Sequence, residues 1–157
     1  AAIRSAMMTT GTTLDNTRKP IKDEGQNLTD ASPLAMGAGH IIPNKALDPG
    51  LIYDATPQNY VSLLCSMNFT KNQILTITRS STYNCTNPSL DLNYPSFIAF
   101  YNKNVTTVTT QAYQRVVTNV GGGAATYKVK VTAPKGSNVT VWPETLVFGK
   151  KYEQQQY

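Results

Sequence analysis

Apolar residues along the chain change their spacing once. Over the first half they recur with a helical period, and from about Leu90 the period falls to two. Ile3, Ala6, Met7 and Thr10 stand at i, i+3, i+4 and i+7, which predicts a helix over 1–10. The stretch 11–33 is polar, with Asp, Asn, Gly and Pro throughout, and predicts an exposed loop. Residues 34–42 predict an extended, buried segment. "DPG" at 48–50 predicts a tight turn, with Pro49 fixing φ and Gly50 free to take positive φ. Thr56 suits a helix N-cap and Pro57 the first helical position. Tyr60, Leu63, Leu64 and Met67 then form a helical apolar stripe. "TKNQILTITRS" predicts a second short helix capped by Thr70, followed by a loop to Cys85.

The second half predicts strands. "YKVKVTAP" alternates Tyr127, Val129 and Val131 with Lys128, Lys130 and Thr132. "NVTVWP" and "TLVFG" continue the theme, and "NVGGGAATY" predicts a glycine hairpin turn at 121–123. Together these read as a β-sandwich with about five strand segments, where about seven are usual. "EQQQY" at the end reads as the entry to another strand. The helix at 1–10 has no capping residue before it, so both ends of the sequence read as cut.

Composition narrows the class. The 157 residues are 40% hydrophobic, which suits one or two small domains. No apolar run approaches the roughly 20 residues that span a bilayer, and nothing resembles a signal peptide. The net charge of +5 comes from scattered Lys and Arg. Lys128, Lys130, Lys135, Lys150 and Lys151 read as a solvated face, and no nucleic-acid partner is expected. Five N-x-Ser/Thr sequons occur, at Asn27, Asn68, Asn84, Asn104 and Asn138. With the even cysteine count they favour a secreted glycoprotein. The default for Cys65 and Cys85 in such a chain is a disulfide, whose loop closure is worth about 3 kcal/mol. The alternative is two free buried thiols.

Catalytic chemistry finds little support. A Ser–His–Asp triad needs a nucleophile on a strained turn, a base beside it and an orienting carboxylate. The chain holds one histidine, His40, and no G-x-S-x-G elbow. Ser96 in "NYPSF" reads as a strand-entry residue. One His and two Cys without C-x-x-C leave too few ligands for a metal, and no cofactor is implied. The "GAG" at 37–39 lacks the third glycine of a dinucleotide fingerprint, and Pro43 blocks the helix that should follow.

Several stretches, in order, resemble plant subtilisin-like serine proteases of the cucumisin type. "AAIRSAMMTTG" resembles the helix after the catalytic-serine helix, and "PLAMGAGHIIPNKALDPGLIYDATPQNYVSLLC" the stretch that closes the catalytic domain. "DLNYPSF", "RVVTNVG", "ATYKVKVTAPKG" and "VTVWPETLVF" resemble a C-terminal fibronectin type III-like domain. The resemblance implies an α+β fragment in three parts. Residues 1–57 would be the end of a subtilisin-like α/β catalytic domain, 58–89 a helical, disulfide-containing connector, and 90–157 a truncated fibronectin type III-like β-sandwich. The family's chain order is Asp, His, Ser, with the serine in a Gly-Thr-Ser-Met motif upstream of Ala1. His40 therefore falls outside the triad and is expected to pack or hydrogen-bond in a strand-turn.

On this reading the chain is the structural, catalytically incomplete C-terminal part of a secreted endopeptidase. Its partner would be the remainder of the same chain, and polypeptide substrates would meet only the intact enzyme. It would reside in the apoplast or cell wall through a signal peptide lying elsewhere in the longer protein, with no membrane partner. Loss of triad members costs on the order of 10⁴ to 10⁶ in kcat, so the 157 residues alone are expected to be inactive. Alone they are also expected to be poorly soluble or partly unfolded. Two other readings compete: a secreted, non-catalytic binding module built on the sandwich, and a polyanion-binding protein suggested by charge alone.

Overall fold

The computed structural model describes residues 1–101 and 107–157. The first half is helical and turn-rich. Helix α1 (Ala2–Thr9) leads into a small hairpin of β1 (Lys22–Asp23) and β2 (Thr29–Asp30), which interrupts the otherwise irregular stretch 11–33. Two single-turn helices follow, α2 (Pro33–Met36) and α3 (Pro43–Ala46), then strand β3 (Leu51–Tyr53).

The stretch 34–42 corrects a sequence expectation. It is neither extended throughout nor buried: Pro33 starts a helical turn, and Leu34 is 92% exposed. Only His40 keeps a strand-like link. Its backbone N–H donates to the Thr12 carbonyl and its carbonyl accepts from Thr12 N–H, at 2.8 and 2.9 Å. This close approach explains the glycine beside it. Gly39 sits at φ +90°, and a Cβ there would lie 2.1 Å from the Thr12 carbonyl oxygen.

Helices α4 (Pro57–Ser66) and α5 (Lys71–Thr78) start where their caps dictate. Thr56 and Asn59 exchange side-chain and backbone hydrogen bonds, and Thr70 and Gln73 do the same. Each is a reciprocal capping box that satisfies otherwise orphaned amides. Val61 and Ile74 are the residues these helices bury, while Met67 of the expected stripe stays exposed.

Strands β4 (Val116–Asn119), β5 (Ala125–Lys128), β6 (Thr145–Phe148) and β7 (Gln154–Gln156) form two antiparallel sheets. One has the order β3-β4-β7 and the other pairs β5 with β6. They share a core of Val117, Leu146 and Phe148, with Leu51, Tyr53, Tyr127 and Tyr157 packed around it. Phe148 is 1% exposed and meets Tyr127 edge-on at 5.9 Å.

Two further expectations are corrected here. Gly121–Gly123 do not turn a hairpin, because β4 and β5 belong to different sheets. Asn119, fully buried, organises that crossover: its carboxamide donates to the Gly123 and Lys150 carbonyls and accepts from Gly121 N–H. "NVTVWP" at 138–143 forms no strand. The β5–β6 ladder ends with Val129 N–H on the Glu144 carbonyl, and Pro143 has no N–H to extend it.

Candidate functional site

The described residues assemble no catalytic constellation, and His40 is exposed, with its hydrogen bonds made by its backbone. No group of three or more His, Cys, Asp or Glu among them could hold a metal. Among the described residues no helix is long and apolar enough to cross a membrane. What the sequence does build is a polar seam that fastens residues 1–55 to the strands after residue 90.

The seam starts at α1. Ser5 is 1% exposed, and its Oγ accepts from the Tyr53 backbone N–H at 2.8 Å. Strand β3 then runs antiparallel to β4, with Leu51 opposite Asn119 and Tyr53 opposite Val117. Val120 N–H extends that pairing onto the Gly50 carbonyl at 2.8 Å. Gly50 stands at φ +70°, and a Cβ there would meet the Tyr127 hydroxyl at 2.7 Å. On the same face the Tyr53 and Tyr157 hydroxyls hydrogen-bond each other. Burial, and then that bond, raise the Tyr157 phenol above its ordinary value.

The "DLNYPSF" segment closes the seam. Asn93 donates to the Asp54 carbonyl at 2.8 Å and the Val116 carbonyl at 2.9 Å, and accepts from Val116 N–H. Arg115, 4% exposed, donates to the Tyr94 carbonyl at 2.9 Å, the Ser96 carbonyl at 3.0 Å and the Asp91 carboxylate. Its guanidinium lies 4.4 Å from the centre of the Phe97 ring. A buried cation is tolerable here because its donors meet carbonyls, a carboxylate and a ring face. Among the described residues Ser96 contributes its backbone carbonyl, a structural role. Sequence reasoning passed over Arg115, Asp91, Asn93 and Asn119. The available signal was an arginine at the mouth of β4 and an asparagine at its end, with Asp91 and Asn93 in a separate polar-apolar segment more than twenty residues earlier.

The structure joins Cys65 to Cys85, with Cα atoms 5.7 Å apart, which ties the end of α4 to the loop after α5. The sequon residues Asn27, Asn68, Asn84 and Asn138 are all exposed. Asn104 lies outside the described residues.

Comparison with known proteins settles the relationship. The fibronectin type-III domain family matches residues 91–157, the part that holds β4 to β7. The whole chain is 63% identical to Subtilisin-like protease SBT3 of Solanum lycopersicum. It is 42% identical to Subtilisin-like protease SBT1.3 of Arabidopsis thaliana, again over the whole chain, and 41% identical to SBT1.5 over 94% of it. The chain belongs with the plant subtilisin-like proteases. It spans about a fifth of the length of the curated relatives it matches, and corresponds to their C-terminal part. The seam gives the sheet of β4 and β7 a further strand, β3, drawn from residues before α4.

Proposed function

We propose that these residues serve the intact subtilisin-like protease as a structural C-terminal part of a secreted serine endopeptidase. Residues 1–57 end the catalytic α/β domain, 58–89 connect, and 90–157 form the fibronectin-like module that buttresses it. Catalysis, and contact with polypeptide substrates, belong to the rest of the longer chain. The protein acts in the apoplast or cell wall, and Asn27, Asn68, Asn84, Asn104 and Asn138 are its proposed glycan acceptors.

One observation carries this reading. The chain exposes 12104 Å², whereas a folded monomer of its mass exposes about 7,800 Å². Large apolar side chains stand in that exposed surface: Ile3, Leu34, Leu47, Leu90, Phe100 and Trp142 are all exposed. Ile3 on α1 stays exposed although the helix packs on β3. Such surface suits a segment that packs against a larger body.

The test compares the full-length protein with residues 1–157 alone on a fluorogenic peptide and on casein. Full-length protein is expected to cleave, and the 157 residues are not. Hydrogen exchange of α1 should be slow in the full-length protein and fast in the isolated segment. Cleavage by the segment alone, or equal protection of α1 in both, would overturn the proposal.

A further inference from the structure

The four described sequons are held differently. Asn27 and Asn68 sit in turns at φ +52° and +61°, and Asn138 lies in the irregular stretch after Gly136. All three are exposed, and among the described residues their carboxamides carry no hydrogen bond. Asn84 is exposed as well, yet it is tied down. Gln58 of α4 donates from Nε2 to the Asn84 carbonyl and accepts from Asn84 N–H on Oε1. The Asn84 Oδ1 accepts from Thr86 N–H at 2.8 Å. Ser89 N–H donates to the Ser62 carbonyl at 3.2 Å, pinning the same loop to α4 a little further on. The middle residue of this sequon is Cys85, covalently bound to Cys65 at the other end of that helix.

We propose that Asn84 is a conditional glycan acceptor, open while Cys85 is a free thiol and closed once Cys85 pairs with Cys65. The inference rests on the secretory reading above. N-glycosylation joins the Asn84 Nδ2 to the anomeric carbon of a lipid-pyrophosphate-linked oligosaccharide. The anomeric C–O bond breaks, the lipid pyrophosphate leaves, and the amide proton passes to the transferase. The transferase must surround the Asn-Cys-Thr triplet and draw it away from the protein surface. Disulfide closure opposes that, because it anchors the central residue to α4 and lets Gln58 grip the backbone on the asparagine. Closure itself converts two thiols to one disulfide and passes two electrons and two protons to a dithiol–disulfide oxidant. The same 20-residue loop therefore offers two mutually exclusive modifications, and the order of events decides which one the molecule carries.

The test uses the full-length protein made in plant cells and drawn from total lysate, so that retained molecules are counted. Peptide N-glycosidase A in ¹⁸O-water marks each formerly glycosylated asparagine, and unreduced peptide maps report the bridge. In the native sequence, molecules with the Cys65–Cys85 bridge are expected to have Asn84 empty and Asn27, Asn68 and Asn138 filled. Cys65→Ser should turn Asn84 from a mostly empty into a mostly filled site while leaving Asn68 unchanged. A dithiothreitol pulse during synthesis of the native sequence should do the same, without any substitution that could unfold the chain. Asn84 glycosylated on bridged molecules would overturn the proposal, as would Asn84 left empty under both treatments while Asn27 fills. If every sequon stays empty, the secretory reading falls, and this proposal falls with it.

Discussion

Asp91→Ala isolates the energetic weight of the seam. Asp91 is the carboxylate that faces the Arg115 guanidinium, with side-chain exposures of 31% and 4%. Removing it leaves a buried cation facing carbonyls and the rings of Phe97 and Tyr113. Breaking a buried pair from one side typically costs 3–5 kcal/mol. Arg115 keeps three carbonyl acceptors, counting that of Gln114, and Asp91 is partly wet, so the low end applies. The expected loss is about 3 kcal/mol in the local stability of β4, roughly a hundredfold in its opening equilibrium. Lys22–Asp30 supplies the internal control, because its side chains are 46% and 64% exposed. Asp30→Ala should cost no more than about 1 kcal/mol. The assay is native-state hydrogen exchange on the full-length protein, read at the amides of Arg115, Val117 and Thr118 for one variant and of β1 and β2 for the other. If both deletions speed local exchange equally, or if Asp91→Ala changes it less than tenfold, the reasoning that burial sets the cost is wrong.

Two further expectations follow from the same geometry. Gly39→Ala places a methyl 2.1 Å from the Thr12 carbonyl at φ +90°, so the Thr12–His40 link should open and the full-length protein lose on the order of 1–3 kcal/mol, visible as faster exchange at Thr12 and His40; unchanged exchange would refute the close approach. Tyr157 has its phenol raised by burial, so the unfolded chain ionises first on the alkaline side; its contribution to stability should be constant below about pH 10 and be lost above it, and Tyr157→Phe should lessen the alkaline fall in denaturation curves.

How far the sequence could be read depended on where each segment's partners lie. Helices α4 and α5 were legible because their signals are local: Thr56 with Asn59, and Thr70 with Gln73, close their own capping boxes within four residues. Strands β4 to β7 were legible in outline, because Val117, Leu146 and Phe148 find one another inside the chain. The crossover at Gly121–Gly123 was not, since a glycine run permits a tight turn without saying which sheet the next strand joins. That choice is made by Asn119, reaching to Gly123 and Lys150, a contact no local pattern encodes. The stretch 34–42 failed for a different reason. Its apolar side chains predict burial, yet Leu34 is 92% exposed. Hydrophobicity records what a residue is selected to meet in the finished protein, and the chain spans about a fifth of the relatives it matches. The same logic separates the seam from the exposed patches. Arg115, Asn93 and Asn119 are polar yet satisfied within these 157 residues, whereas Ile3, Leu34 and Leu47 are apolar and uncovered within them. The first group marks contacts this segment completes itself, and the second marks those that the proposed catalytic domain would complete.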